Sequence, residues 1–133
     1  MKRKALHLLT SKNGKIAIYI DADNANQIIA YISQSDKHKK KWSFISQIIL
    51  ENHRNPDVFD KEDINENCKD VYAMKFFKGG DNDRIYCKQV RDNNISKYII
   101  VASELHIKKK TQKNSSKEIV IIERVASYEY EYE

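Results

Sequence analysis

Three strand-like segments in the second half of the chain constrain its fold more than any other feature. Residues 71–78, 84–90 and 97–107 are rich in branched and aromatic side chains, and short polar segments with turn-forming residues separate them. Connections of this length join neighbouring antiparallel strands, so the sequence predicts a three-stranded meander. Other elements must then cover at least one face of that meander.

The first residues of the chain indicate a hairpin. Residues 15–21 alternate between apolar and polar positions and are rich in branched side chains, which is typical of a strand. Asn13 and Gly14 precede that strand and form a common hairpin turn. Residues 5–9 are therefore expected to form a short partner strand.

A pair of helices is predicted to follow the hairpin. Asp23 or Asn24 can cap the first helix, and Ser35 with Asp36 interrupts the apolar pattern and can start a second. One long helix is the alternative. The only proline of the chain ends this helical region. The acidic residues 57–70 after it are predicted to form a loop with one helical turn.

A last helix is expected after the meander. Ser115 or Ser116 can cap it, and its apolar stripe holds Ile119, Ile122 and either Val125 or Ala126. The alternating Tyr–Glu tail that follows can continue the helix, fray, or form a terminal strand.

These elements predict a small single α+β domain over residues 1–133. We expect a mostly antiparallel twisted sheet, with the N-terminal helical pair packed on one face and a C-terminal helix. The length fits one domain, and the hydrophobic content of 41% is enough for one modest core.

Charge and cysteine content restrict the function. The net charge is +5, and basic side chains predominate in residues 1–54 and 71–113, whereas acidic ones predominate elsewhere. Such segregation favours an anionic partner, usually nucleic acid. Two distant cysteines fit no metal or disulfide pattern, and no apolar stretch is long enough to span a membrane. The sequence therefore predicts a soluble cytoplasmic protein that does not bind membranes.

Strand alternation predicts one basic sheet face. If the apolar sides of the first two meander strands pack on the helical pair, Lys75, Arg84, Tyr86 and Lys88 emerge together on the opposite, open face. Cations beside an aromatic ring suit phosphate and base contacts. An ordinary polar outer face is the alternative interpretation.

Two further features lie close to this face in the predicted sheet. Lys108, Lys109, Lys110 and Lys113 form a loop after the third strand, and we expect them to grip phosphate groups. His106 shares a face with Ile100 and Ala102 by alternation, so it is predicted to be a packed or edge histidine rather than a general acid.

The sequence also resembles a known family. The stretch "VYAMKFFKGGDNDRIYCK", the hydrophobic strand after it, and "KKKTQKNSSKEI" before an alanine-containing helix are similar to the RelE/HigB toxins of bacterial type II toxin–antitoxin modules. These toxins belong to the RelE/ParE superfamily and include many phage-derived members. The resemblance covers the meander and the last helix, and it covers the first half only by the order of elements.

The resemblance implies a ribosome-dependent endoribonuclease that cuts messenger RNA without a metal or cofactor. It also implies neutralisation by a cognate antitoxin, a helix-turn-helix protein like HigA. By position, Arg84 matches an arginine that holds the scissile phosphate, and Lys75 a lysine that activates the 2′-hydroxyl or stabilises the transition state. Tyr128 or Tyr130 would stack on a base or assist proton transfer. The chain lacks the C-terminal tyrosine–histidine pair of some members.

Two other functions stay open at this point. ParE-like proteins share the superfamily fold and inhibit DNA gyrase without cutting RNA. A non-catalytic RNA-binding or protein-binding domain could use the same basic face. The proximity of Lys75 and Arg84 on the predicted face favours the ribonuclease.

Overall fold

One mixed sheet organises the residues that this computed structural model describes, which are 2–77, 83–92, 97–107 and 116–133. Within them, the strands are β1 (Arg3–Thr10), β2 (Ile16–Asp21), β3 (Phe59–Lys61), β4 (Val71–Lys75), β5 (Arg84–Asp92), β6 (Lys97–His106) and β7 (Tyr130–Tyr132). Their order across the sheet is β3-β4-β5-β6-β2-β1-β7.

The predicted meander is confirmed. β4 pairs antiparallel with β5, and β5 pairs antiparallel with β6. Two pairings that the sequence did not indicate are parallel, namely β2 with β6 and β1 with β7. The fold is therefore α+β with a mixed sheet, in which β2 lies between β6 of the meander and β1.

A tight turn forms the predicted hairpin between β1 and β2. Gly14 has φ 73, in the left-handed region that a residue without Cβ adopts readily. Ser11 closes the turn, since its backbone N–H bonds to the Ile16 carbonyl at 2.8 Å and its hydroxyl accepts from the Ile16 N–H at 3.0 Å. The turn thus fixes where β2 begins.

Two separate helices follow, as predicted. The helices of the described residues are α1 (Ala25–Ser33), α2 (Asp36–Leu50) and α3 (Ser116–Ser127), with a 3-10 turn at Glu66–Cys68. Ser35 caps α2 by accepting from the His38 N–H at 3.1 Å. Asn24 occupies the N-cap position of α1 without a side-chain capping bond. None of these helices is long and apolar enough to cross a bilayer.

One edge strand was missed in the acidic region. Residues 57–70 were predicted to be a loop with one helical turn, and the 3-10 turn confirms the helical part. β3 pairs with β4 there, with Phe59 opposite Met74. This strand has only three residues, so its sequence carries no alternation that could reveal it.

The sheet is covered on both faces. On the first face, the core includes Ile28 and Ile45 from α1 and α2 with Ile18, Met74 and Ile85 from the strands. On the second face, the core includes Ile122 and Val125 from α3 with Val71, Ala73 and Tyr86 from the strands. We call these the α1/α2 face and the α3 face.

The Tyr–Glu tail forms a terminal strand, one of the three outcomes that its pattern left open. β7 pairs parallel with β1, and Tyr130 lies opposite Arg3. Tyr130 is buried, whereas Glu131 is exposed. The alternation of tyrosine and glutamate in the tail therefore places Tyr130 on the buried side of this edge strand and Glu131 on its exposed side.

A buried carboxylate fixes the position of this tail. The Oδ2 atom of Asp21 accepts from Arg3 Nε at 2.7 Å and from the Tyr130 hydroxyl at 2.8 Å. Its Oδ1 accepts from the N–H groups of Asp23 and Asn24 at 2.8 and 3.2 Å. Asp21 is fully buried, so it joins β1, β2, β7 and the start of α1 through one group.

Asp21→Ala should lower the free energy of unfolding by about 3–5 kcal/mol, because it leaves a partly buried guanidinium and several donors without their partner. Asp23→Ala is the matched control, since Asp23 also contacts Arg3, at 3.5 Å, but its side chain is 73% exposed. The control should lose less than about 1 kcal/mol. Urea unfolding followed by circular dichroism measures both, and equal small losses would contradict the role given to Asp21.

Candidate functional site

Lys75, Arg84 and His106 lie in one row across three neighbouring strands. Lys75 of β4 pairs with Arg84 of β5, and Arg84 pairs with His106 of β6. Directly opposed residues of antiparallel strands point to the same face. All three side chains are partly exposed. We call this set the basic row, and it lies on the α3 face at one end of the meander.

A β-bulge brings His106 into the row. Tyr86 pairs with Glu104, whereas the next residue of β5, Cys87, pairs with Ala102. Ser103 is thus an extra residue on β6, and every residue after it changes sides. The prediction that His106 shares a face with Ala102 is therefore wrong.

An ion pair holds Arg84 in position. Its Nη1 atom lies 2.7 Å from Glu62 Oε1, and the two side chains are 18% and 7% exposed. Among the described residues, Arg84 Nε is buried without a hydrogen-bond partner. Lys75 Nζ donates to the Pro56 carbonyl at 3.2 Å. The predicted neighbours Lys75 and Arg84 are therefore together, with a carboxylate that the sequence did not single out.

The predicted open face is not open. α3 packs on it because Ile122 and Val125 form an apolar stripe that requires a buried partner. Tyr86 is consequently fully buried, so the prediction that it emerges on an open face is wrong, and its contact with RNA stays a prediction. Its hydroxyl donates to Glu118 Oε2 at 3.1 Å. Burial, with the nearby carboxylate of Glu118, raises the pKa of Tyr86 far above its usual value, so it stays a neutral donor.

Glu118 also lies near the histidine of the basic row. This residue is in the first turn of α3 and is fully buried. Its Oε1 atom is 3.9 Å from His106 Nε2. The His106 ring centroid is 6.5 Å from that of Tyr86. An imidazole at the edge of solvent thus has a buried carboxylate behind it.

Lys88 has a structural partner. Its Nζ atom donates to the Ala126 carbonyl at 2.5 Å, near the C-terminal end of α3, where the helix dipole favours a cation. The predicted RNA-binding role of Lys88 therefore competes with a contact that holds α3 on the sheet.

Tyr128 belongs to a separate cluster. Its hydroxyl bonds to Glu104, and the Arg3 guanidinium lies 4.1 Å from its ring centroid. Burial, followed by the bond to Glu104, raises the pKa of Tyr128 to about 12. At neutral pH it is therefore a phenol, which can donate a proton but cannot serve as a base. Tyr130, the other predicted tyrosine, is buried against Asp21.

The predicted phosphate-gripping lysines Lys108, Lys109, Lys110 and Lys113 lie outside the described residues. β6 ends at His106, so the segment that carries these lysines begins two residues after the basic row. Their proposed contact with phosphate stays a prediction.

The basic row has the side chains that phosphate chemistry uses. Arg84 and Lys75 can bind phosphoryl oxygens, and His106 can transfer a proton. Sequence reasoning missed Glu62 and Glu118 and misplaced His106, because these contacts depend on the bulge and on where α3 packs. No local sequence signal marks either carboxylate.

Comparison with protein-family models, with curated proteins and with solved structures finds no significant match to this chain.

Tyr86→Phe should lower the free energy of unfolding by about 1–3 kcal/mol, because buried Glu118 loses a hydrogen-bond donor. Tyr19→Phe is a control on a partly buried tyrosine of β2, and we expect it to lower that free energy by less than about 0.5 kcal/mol. Urea denaturation at neutral pH compares the two variants. Equal values would show that the bond from Tyr86 to Glu118 does not hold α3 on the sheet.

Proposed function

We propose that this protein is a metal-independent endoribonuclease, the toxin of a type II toxin–antitoxin module similar to RelE and HigB. It cuts messenger RNA on the ribosome, inhibits translation, and is neutralised by a cognate antitoxin. The observation that carries this proposal is the basic row, in which two cations and a histidine share one end of the sheet.

The proposed reaction is an internal transfer at one phosphate. The 2′-oxygen of the substrate attacks the adjacent phosphorus, and the bond from phosphorus to the 5′-oxygen of the next nucleotide breaks. The products are a 2′,3′-cyclic phosphate and a 5′-hydroxyl. The proton lost by the 2′-hydroxyl leaves to a base, and the departing 5′-oxygen gains one.

The residues of the basic row have complementary roles in this reaction. Arg84 and Lys75 bind the phosphoryl oxygens, whose negative charge grows in the transition state. His106 transfers a proton, and the Glu118 carboxylate lies behind its ring, with Oε1 3.9 Å from His106 Nε2. Glu62 holds the Arg84 guanidinium in place. We give proton transfer to His106 rather than to Tyr128, because Tyr128 is held by Glu104 and Arg3.

The partners follow from the resemblance and from charge. The ribosome and its messenger RNA are anionic, and the net charge of +5 favours association with them. Lys108, Lys109, Lys110 and Lys113 are proposed to bind their phosphates. The antitoxin would be a helix-turn-helix protein.

RNA binding without cleavage is the second candidate function. It is favoured by the ion pair between Arg84 and Glu62. This contact ties the Arg84 guanidinium to the fold rather than leaving it wholly available for the transition state. Within the described residues, no feature favours the gyrase-inhibitor alternative over these two functions.

Variants of the basic row test the proposal. His106→Gln should reduce single-turnover cleavage of ribosome-bound messenger RNA by roughly 100- to 10,000-fold, the usual contribution of a general acid or base. Arg84→Lys, which keeps a charge for Glu62, should reduce it by roughly 100-fold through loss of a fixed donor. Wild-type protein should cut free RNA poorly.

His7→Gln and Lys4→Gln are the controls, since both residues are exposed on β1 at a distance from the row. Each should cleave within about twofold of wild type. Thermal melting establishes that the variants are folded. Wild-type rates in both row variants would exclude the row as the catalytic site, and ribosome binding without any cleavage would support the second candidate.

A further inference from the structure

An aromatic cleft lies on the α1/α2 face, at the opposite end of β5 from the basic row. Its volume is about 310 Å³, at the small end of the range for ligand pockets. Ile16, Ile49 and Ile100 contribute to its apolar lining. A neighbouring pocket of about 300 Å³ shares three of its residues, Tyr72, Gln89 and Tyr98. The two pockets together form an open groove on either side of these shared side chains.

Flat rings form the walls of the aromatic cleft. Tyr72 of β4 stacks on Phe59 of β3, with ring centroids 5.1 Å apart and planes inclined by 14°. Tyr98 of β6 carries the Arg91 guanidinium 4.3 Å from its ring centroid. Burial, with the nearby carboxylates of Asp60 and Asp70, raises the pKa of Tyr72, so this ring stays neutral. Such walls fit a planar ligand.

The end of α2 places polar groups over the cleft. Asn52 has φ 57, and the N–H groups of Asn52 and His53 bond to the carbonyls of Ile49 and Ile48 at 3.1 and 3.0 Å. This is the Schellman arrangement that ends a helix with a left-handed residue. The chain therefore turns sharply, and Asn52, His53 and the exposed Arg54 line the cleft.

The charges around the cleft favour a nucleobase inside it over a bare phosphate group. Asp60 lines the cleft itself and Asp70 lines the adjoining pocket, and both oppose a phosphate held inside. The Gln89 amide and the Asp60 carboxylate can instead bond to the polar edge of a nucleobase. Arg54 is exposed, so it can hold a phosphate that points to solvent.

We propose that the aromatic cleft binds one nucleotide, with its base beside Tyr72 and Tyr98 and its phosphate at Arg54. The nucleotide is a unit of single-stranded RNA or a free mononucleotide, since both present the same chemistry. This site does not depend on cleavage by the basic row, because it lies on the other face of the sheet.

Binding is measured with the full chain and two probes, guanosine monophosphate and a ten-residue single-stranded RNA whose 2′-hydroxyls are methylated. Methylation blocks attack by the 2′-oxygen, so failure of the cleavage proposal would leave this measurement unaffected. Titration monitored by nuclear magnetic resonance should shift the side-chain amide signals of Gln89. Tyr72→Leu should weaken binding by roughly ten- to hundred-fold through lost stacking, whereas Tyr72→Phe should stay within about threefold.

Arg54, at the exposed rim of the cleft, allows a second test that leaves the protein core unchanged. Arg54→Gln should lower the slope of log affinity against log salt for the RNA probe by about 0.7, the value for one phosphate contact on a single strand. Lys4→Gln, on β1 and far from the cleft across the sheet, is the control and should leave the slope unchanged. If Tyr72→Leu does not fold, Gln89→Ala with Arg54→Gln replaces it.

Each outcome of these binding measurements either supports or overturns the proposal. Tyr72-dependent binding of guanosine monophosphate supports a site for free nucleotides, and Tyr72-dependent binding of the RNA probe alone supports an RNA contact. The proposal is overturned if neither probe binds, or if folded cleft variants bind as tightly as the wild type.

Discussion

One extra residue on β6 is the constraint on which the candidate active site depends. Before Ser103, Ile100 and Ala102 face the α1/α2 core, and after it Leu105 faces that core while Glu104 and His106 face α3. Without the bulge, His106 would point away from Arg84 and Lys75. Bulges are common next to active sites because they re-aim a side chain in this way.

The bulge is fixed by elements that are distant in sequence. The Ser103 carbonyl accepts from the Asn24 side chain at 2.8 Å, and the Ser103 hydroxyl lies 2.9 Å from that of Tyr130. Tyr130 in turn bonds to Asp21. The buried carboxylate, the terminal strand and the bulge therefore form one network, which links the stability of the fold to the position of His106.

Local patterns predicted the strands well but not what covers them. Alternation placed Lys75, Arg84, Tyr86 and Lys88 together correctly, because β4 and β5 pair without a register shift. The apolar stripe of α3 was also recognised, but the face that it would bury was not assigned, so the basic face was predicted to be open. Choosing that face requires knowing which strands offer an apolar surface, which is a property of the assembled sheet.

The bulge left no readable signal, since Ser103 interrupts a hydrophobic strand without glycine or proline. The burial of Glu118 could not be predicted either. A glutamate in the first turn of a helix is normally exposed, and the helix dipole is enough to explain its presence there. β2 and β6 pair in parallel, with Ile16 opposite Tyr98 and Ile20 opposite Ala102, although the 75 residues 22–96 lie between the two strands in the sequence. Such long-range pairing follows from the packing of α1 and α2, which connect β2 to the meander on one face.

The chemical nature of the cleaved RNA ends distinguishes attack by the 2′-oxygen from hydrolysis by water. Wild-type protein is incubated with ribosome-bound messenger RNA, and the fragments are analysed by mass spectrometry. Attack by the 2′-oxygen at the basic row predicts upstream fragments that end in a 2′,3′-cyclic phosphate and downstream fragments that begin with a 5′-hydroxyl. Fragments with a 3′-hydroxyl and a 5′-phosphate would contradict the account.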